Sequence, residues 1–308
     1  MAAARVYFLG VRTRGSASHR AFPAWMKAIG WSASLIGVDM PLHSDCPRYA
    51  DFLARMKDDE RCAGAQVTSH KVRVFECLAD GLDFLDPDAC SLGEVGAVAI
   101  AAGTLTGFSP DMMALAGELS RMLLAGGQPP RAREVVILGG GGAGRAVALA
   151  SARFGGAIVP KITITERDGQ VKADLEARLE ALLNTAGRVH AEVRDGAEND
   201  DVVRHAPAGS LLVNATGLGK DIAGSPISGD VTLPADSIAW DLNYRGDLRF
   251  LQHARAQSGR GVQVFDGWDY FLRNWFACLS RLAGMAPAED RFERFCAASE
   301  FLRPTISY

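Results

Sequence analysis

Val135-Val136-Ile137-Leu138-Gly139-Gly140-Gly141-Gly142-Ala143-Gly144-Arg145-Ala146-Val147-Ala148 is the stretch on which the reading of the chain turns. Four apolar residues without alternation describe a strand covered on both faces, and the Ala-rich segment after the glycines reads as a helix. Between them Gly139, Gly141 and Gly144 satisfy G-x-G-x-x-G. One glycine makes the tight turn, a second lets backbone approach a pyrophosphate, and a third lets helix and strand pack closely. The helix start at Gly142 and Ala143 then offers free N–H groups and a positive dipole end to phosphates. Alone the motif is weak. It gains weight from the next strand, 161–165, which ends at Glu166, 22 residues after Gly144. An acid at that distance accepts hydrogen bonds from an adenosine ribose; the alternative is a Gly-rich turn beside an unrelated surface Glu. The expected cofactor is NAD or NADP. Glu166 and Asp168 would repel a ribose 2′-phosphate, whereas Arg167 would clamp it or stack on adenine, and the two acids favour NAD.

Outward from this loop, short β-rich runs alternate with helical stretches. Strands are expected at 5–10, 34–38, 64–67, 96–101, 134–138, 161–165, 209–213, 238–242 and 261–264, and helices at 47–57, 111–124, 144–154 and 171–183. That rhythm means βαβ units, parallel sheet and an α/β fold. Gly126-Gly127-Gln128-Pro129-Pro130 marks a boundary, 195–201 a solvated acidic turn, and 221–234 a long loop. From Trp268 onward the chain reads mainly helical; its aromatics Phe292, Phe295, Phe301 and Tyr308 suit either an internal core or a homodimer seam.

The 308 residues suggest two domains. With 48% hydrophobic and 22% charged residues the composition is that of a globular protein. A net charge of −3 leaves no basic field for nucleic acid or anionic lipid. The longest weakly polar stretch, 95–108, is too short to cross a bilayer, and the apolar run 6–11 is too brief for a signal-peptide core. A cytoplasmic location is expected. Among the six cysteines (46, 62, 77, 90, 278 and 296) no two lie closer than 13 residues, so no metal site is expected and the thiols read as reduced packing residues.

Several further segments, in order, resemble the shikimate/quinate dehydrogenase family. Ser16-Ala17-Ser18 looks like the family's Ser-x-Ser element, and Gln66-Val67-Thr68-Ser69-His70-Lys71 its Asn-Val-Thr…His-Lys element. Gly96-Ala97-Val98-Ala99-Ile100 resembles Gly-Ala-Val-Asn-Thr, and Gly107-Phe108-Ser109-Pro110-Asp111 resembles Gly-x-Asn-Thr-Asp. Asn214-Ala215-Thr216 matches Asn-Ala-Thr, Asp241-Leu242-Asn243-Tyr244 is similar to Asp-x-x-Tyr, and Gly267…Asn274 resembles the closing Gly…Gln helix. Each pattern is modest; their shared order is specific and covers nearly the whole chain.

The resemblance implies an N-terminal substrate-binding α/β domain (1–110), a Rossmann-type doubly wound parallel-sheet NAD(P) domain (111–266), and C-terminal helices (267–308) returning to the first, with catalysis in the cleft between the domains. It further implies an oxidoreductase that interconverts a ring secondary alcohol and ketone of a carbocyclic hydroxy acid. Lys71 and Asp111 would hold the reacting hydroxyl, an ammonium and a carboxylate relaying its proton. His70 is a competing base, because His titrates nearer neutral pH. Ser16 and Ser18 would bind a substrate carboxylate, Thr68 a ring hydroxyl, and Tyr244 and Asn274 further polar groups. Asn214, Ala215, Thr216 and Gly267 join the glycine loop, Glu166 and Arg167 on the cofactor side. Each has a plainer reading: Asp111 as a helix cap, the serines as turn residues, Asn214 and Thr216 as Asx and ST turns.

Departures fall on the substrate side. Ala99 replaces the pattern's ring-binding Asn, Ser109-Pro110 its Asn-Thr, Asn274 its Gln and His19 its Pro, and the Thr68-to-Lys71 segment is one residue shorter. Losing an amide that reads a hydroxyl weakens binding by about 1 kcal/mol, so specificity is expected to have drifted from shikimate toward quinate or another substituted cyclohexane carboxylate. A non-catalytic shikimate-dehydrogenase-like ligand-binding or regulatory protein is one alternative. A methylene-tetrahydrofolate dehydrogenase is another, which would leave Ser16-Ala17-Ser18 without a task.

Overall fold

Every strand expected from the sequence takes a place in one of two six-stranded sheets. The computed structural model describes residues 3–42, 44–124, 133–186, 189–219 and 222–303. They divide into two units, one of Met1–Ala114 with Phe271–Arg303 and one of Leu115–Tyr270. The Gly126–Pro130 boundary and Tyr308 lie outside the described residues.

The first unit runs β1 (Ala4–Gly10), α1 (Ala17–Ile29), β2 (Ala33–Asp39), α2 (Cys46–Asp58), β3 (Cys62–Val67), α3 (Lys71–Leu78), β4 (Phe84–Leu85), α4 (Pro87–Leu92), β5 (Ala97–Ala101), β6 (Thr104–Phe108) and the start of α5 (Pro110–Leu124). Strand order is β2-β1-β3-β5-β6-β4. This sheet corrects the expectation of parallel strands throughout, because β5 is antiparallel to both neighbours. The cause is a hairpin at Ala102-Gly103, both with positive φ (50° and 79°), the geometry that joins twisted strands in two residues. Ala102 carries no turn signature, and β6 continues the apolar stretch 95–108 without a break in composition. Since β6 turns back on β5, the strands β1, β3 and β6 all end on one edge of the sheet. The chain's progress reverses beside β1, which lies between β2 and β3, and such switch points leave a crevice at the carboxyl ends of the strands.

A second correction concerns the thiols. Cys46, at the start of α2, and Cys77, near the end of α3, form a disulfide across a Cα separation of 5.0 Å. The two helices pack side by side over Tyr49, Phe52, Val74 and Leu78, and this brings together cysteines 31 residues apart that no local spacing rule would pair.

The second unit runs β7 (Val135–Leu138), α6 (Gly142–Ala152), β8 (Lys161–Glu166), α7 (Gly169–Ala186), β9 (His190–Asp195), α8 (Asn199–His205), β10 (Leu211–Asn214), β11 (Ile238–Asp241), α9 (Arg249–Arg255) and β12 (Gln263–Phe265). Its strands are all parallel, in the order β12-β11-β10-β7-β8-β9, which is the doubly wound dinucleotide-binding order with its switch point between β7 and β10. The expected acidic turn at 195–201 is instead a helix start. Asp195 accepts from Ala197 N–H, and Asp200 and Asp201 lie in the first turn of α8, where negative charge meets the positive dipole end. The 222–234 loop is irregular but packed, burying Ile227, Val231 and Leu233 in the core.

Helix α10 (Trp268–Leu282) is followed by α11 (Glu289–Ala297). Trp25 of α1 stacks on Phe295 at 4.7 Å, lies 5.3 Å from Trp275, and donates its indole N–H to Ser299 Oγ at 2.6 Å. Phe292 and Phe295 are therefore internal packing residues, whereas Phe301 is exposed. Among the described residues no helix is long and apolar enough to cross a membrane.

Candidate active site

Four polar side chains from distant segments converge in the first unit. Lys71 opens α3 just past the end of β3, and Asp111 lies in the first turn of α5 just past the end of β6. Lys71 Nζ meets Asp111 Oδ2 at 2.5 Å, with side chains only 19% and 2% exposed. Asn274 of α10 donates its amide to Asp111 Oδ1 at 3.0 Å, and Gln66 of β3 donates to Asn274 Oδ1 at 2.7 Å. Burial alone would pull the Lys71 ammonium down, but the carboxylates of Asp111 and Glu94 outweigh it and raise the group above the ordinary lysine value. The ammonium therefore persists in a largely dry site.

The shortened segment before Lys71 is absorbed by one residue. Ser69 adopts φ 58°, in the left-handed region, and His70 N–H turns back onto Thr68 carbonyl at 2.6 Å. Gly96 is a second accommodation: a Cβ there would lie 2.8 Å from Pro110 Cδ and 3.1 Å from Asp111 Oδ2, so only glycine leaves Asp111 its seat. His70 does not have the geometry of a base. It is fully buried, its Nδ1 accepts from Tyr49 OH at 2.8 Å and its Nε2 faces Met40 carbonyl at 3.1 Å, and burial pushes its pKa down. Both ring nitrogens are engaged in the neutral form.

Ser16 caps α1, accepting from Ser18 N–H, and the two hydroxyls lie 2.9 Å apart. Thr68 follows β3, its N–H bonded to Leu9 carbonyl. Ala99 is buried in β5, paired with Gly64, and presents a methyl where the resembling pattern has an amide.

In the second unit the glycine loop is shaped by contacts no larger side chain would allow. A Cβ on Gly144 would sit 2.0 Å from Gly139 carbonyl O, and Gly139 itself has φ 104° beside Thr216. Gly141 is different: nothing lies within 4 Å of the position a Cβ would take. The first α6 bond runs from Arg145 N–H to Gly141 carbonyl, so the N–H groups of Gly142, Ala143 and Gly144 precede the helical ladder beside that open space. Free N–H groups at a helix start facing open space can take an anionic group such as a pyrophosphate. Arg145, from the same motif, has its own work: it bonds Gly140 carbonyl and pairs with Asp174 at 2.6 Å.

Glu166 accepts from Gly140 N–H at 2.8 Å through one oxygen and from the N–H groups of Arg167 and Asp168 through the other, so it ties β8 to the loop. Asn214, fully buried, donates to Asp241 Oδ2 at 2.8 Å and accepts from Thr216 N–H and Oγ–H, forming the Asx and ST turns that end β10 before Ala215 and Thr216. Burial pushes the Asp241 carboxyl up to about 7; hydrogen bonds from Asn243 and Asn214 oppose the shift and Asp266 adds to it. A Cβ on Gly267 would lie 2.0 Å from Leu242 carbonyl O. Tyr244 packs edge-on against Trp268 at 5.4 Å, within this unit, whereas Lys71, Asp111 and Asn274 gather in the other.

Gln66, Gly96 and Arg145 were not picked out from sequence as site residues. Gln66 and Gly96 each stand inside a resembling motif, and Arg145 closes the glycine run; only the fold shows what each touches.

No family model matches the chain. It is 33% identical over 241 residues to the shikimate dehydrogenase (NADP(+)) of Symbiobacterium thermophilum, covering 74% of this chain and 77% of that one. Its fold superposes on the shikimate 5-dehydrogenase of Listeria monocytogenes, solved with shikimate and NAD, with TM-score 0.75 and 22% identity over 96% of each chain. The quinate dehydrogenase of Corynebacterium glutamicum, solved with NAD, gives TM-score 0.73 and 22% identity over 96% of this chain and 99% of that one.

Proposed function

The chain belongs to the shikimate/quinate dehydrogenase family, and on that premise we propose that it is an NAD(P)-dependent oxidoreductase interconverting a ring secondary alcohol and ketone of a shikimate- or quinate-like carbocyclic acid. The observation that carries the reading is the Lys71–Asp111 pair, a 2.5 Å ion pair past the carboxyl ends of β3 and β6. A bound nicotinamide dinucleotide supplies the hydride acceptor, or the donor in the reverse direction. Lys71, kept as ammonium by Asp111 and Glu94, hands a proton to the carbonyl oxygen during reduction, and takes the hydroxyl proton during oxidation once it is neutral. Asp111 accepts the hydroxyl's hydrogen bond and orients it. The capped start of α1, with the Ser16 and Ser18 hydroxyls, suits the acid's carboxylate, and Thr68 a ring hydroxyl. Tyr244 is assigned a further substrate contact.

On the cofactor side the N–H groups of Gly142, Ala143 and Gly144 hold the pyrophosphate beside Gly139 and Gly141. Glu166 and Arg167 face the adenosine ribose, and the turn Asn214-Ala215-Thr216 with Gly267 supports the nicotinamide end. Two carboxylates flanking Arg167 favour NAD over NADP, and Ala99 favours a ring other than shikimate's. The Cys46–Cys77 bridge is of a kind rare in a reducing compartment, so cell fractionation tests the cytoplasmic location expected from the sequence. Phe292 and Phe295 pack within the chain and do not form a dimer seam, and light scattering tests for a homodimer. Initial rates with shikimate and quinate, each with NAD and NADP, test the activity. Turnover of a cyclic hydroxy acid is expected, best with NAD; efficient shikimate oxidation with NADP overturns the specificity assignment. Ligand-induced stabilisation without any turnover would identify a non-catalytic binding protein instead.

A further inference from the structure

Resting on that reading, we infer that the Cys46–Cys77 bridge is a thiol–disulfide exchange site, whose closed and open states hold and release the helix that carries Lys71. The first turn of α2 grips α3 at both of its ends. Cys46 and Tyr49 are three residues apart and share a face of α2. Cys46 holds Cys77 near the end of α3, and Tyr49 OH meets Nδ1 of His70, the residue before Lys71, at 2.8 Å. His70, Val74 and Cys77 follow the spacing of one helix face, and Val74 between the two grips is fully buried. A helix of eight residues has little stability of its own, so its seat depends on such contacts. Ser69, on the approach to it, stands at φ 58°, a conformation that persists only where the surroundings enforce it.

The bridge has the setting of an exchangeable disulfide. Cys46 is exposed and Cys77 half-buried. Cys46 opens α2, where free N–H groups and the positive dipole end favour a thiolate, and the Arg73 guanidinium lies 3.9 Å from its Sγ. Cys77 lies near the carboxyl end of α3, where the dipole does not favour an anion. By contrast, Cys62 and Cys278 are buried, and burial pushes the Cys62 thiol up to about 11. This asymmetry sets the order of events. A thiolate such as that of glutathione attacks Cys46 Sγ, the accessible sulfur; the bond to Cys77 breaks, and Cys77 leaves and takes up a proton. A second thiolate attacks the external sulfur of the mixed disulfide, freeing Cys46 and departing as the oxidised disulfide. Two electrons and two protons pass from two thiols to the pair, and the reverse sequence closes the bridge.

The test incubates the whole enzyme in glutathione buffers of stepped reduced-to-oxidised ratio. Peptide mass mapping then counts thiols, while kcat and hydrogen exchange over residues 70–78 are measured. The bridge should open and close reversibly within the range of these buffers. On opening, kcat for quinate or shikimate oxidation should fall about fivefold or more, and the α3 amides should exchange about tenfold faster or more. Cys77→Ser should trap a glutathione adduct on Cys46, whereas Cys46→Ser should leave Cys77 mostly unmodified. A bridge that stays closed in the most reducing buffer overturns the exchange site. Opening that changes neither kcat nor exchange overturns the link to Lys71, and adducts equal on both cysteines overturn the role given to Cys46. If no cyclic hydroxy acid is turned over in any buffer, it is the activity reading that fails, and thiol mapping with hydrogen exchange still decides this one.

Discussion

Beside β7 the second unit builds its crevice from backbone: the N–H groups of Gly142, Ala143 and Gly144, and turns so tight that a methyl on Gly144 would strike Gly139 carbonyl. Beside β3 the first unit builds from side chains, with Lys71, Asp111, Asn274 and Gln66 supplied by four segments. Both lie at the carboxyl ends of strands next to a reversal in strand order. A backbone cradle suits a phosphate, whose charge is the same in every dinucleotide; a side-chain constellation can be retuned for one ring. The contrast extends to the buried aspartates. Asp111 faces an ammonium, whereas Asp241 has amide donors and a neighbouring carboxylate, Asp266.

If the first crevice is the chemical one, Lys71→Met should lower kcat about a thousandfold, while the dissociation constant for NAD, read by fluorescence titration, stays near the parent's. A loss under tenfold would break the division of labour between the units. The raised Lys71 pKa adds a direction: alcohol oxidation should speed up as pH rises into the alkaline range, because the ammonium must lose its proton before it can accept one.

The difference between the aspartates has a thermodynamic consequence. With its carboxyl at about 7, against 3.8 for an ordinary Asp, Asp241 binds a proton in the folded protein that the unfolded chain releases. Between those values the native state holds more protons, so stability falls as pH rises. The full span amounts to about 4 kcal/mol. Urea midpoints from pH 4.5 to 7.5 should carry this slope in the parent and lack it in Asp241→Asn. A slope unchanged by the substitution would show that Asp241 is ionised throughout.

The backbone cradle can be dissected by a methyl. Gly144→Ala should destabilise the protein by about 1–3 kcal/mol through overpacking. Gly141→Ala meets open space, and its φ of −64° suits any residue. Its melting temperature should match the parent's, while NAD binding weakens by about tenfold or more, a change of about 1.4 kcal/mol. Equal affinity in Gly141→Ala would remove the pyrophosphate from this loop.

These tests divide as the legibility of the chain does. The glycine loop could be read residue by residue, because its requirements concern neighbours in sequence: a turn, an approach, a helix start. Lys71 and Asp111 could be named only through resemblance, since an ion pair across 40 residues leaves no local pattern. Gln66 and Asn274 are 208 residues apart, and their bond becomes visible only once α10 lies over β3. The β5–β6 hairpin leaves no sequence signal for a related reason, its turn being made by Ala102 in a conformation that alanine rarely adopts. The Cys46–Cys77 bridge depends on two helices choosing the same face of a sheet.

Ser69 is where the two kinds of information meet. The sequence shows a segment one residue short, which would draw Lys71 away from Asp111; the structure keeps the contact by holding Ser69 at φ 58°. A left-handed conformation costs a residue with a Cβ about 1 kcal/mol, and glycine largely escapes that cost. Glycine also gains freedom in the unfolded chain, which offsets part of the benefit. Ser69→Gly should therefore stabilise by about 0.5 kcal/mol, a small upward shift in the melting temperature, while Ser69→Val, β-branched in a region such residues avoid, should destabilise. If the left-handed turn is what carries Lys71 to Asp111, the glycine variant keeps kcat and the valine variant loses it. Equal activity in both would mean that the ammonium reaches its carboxylate by the flexibility of its own four-carbon stem.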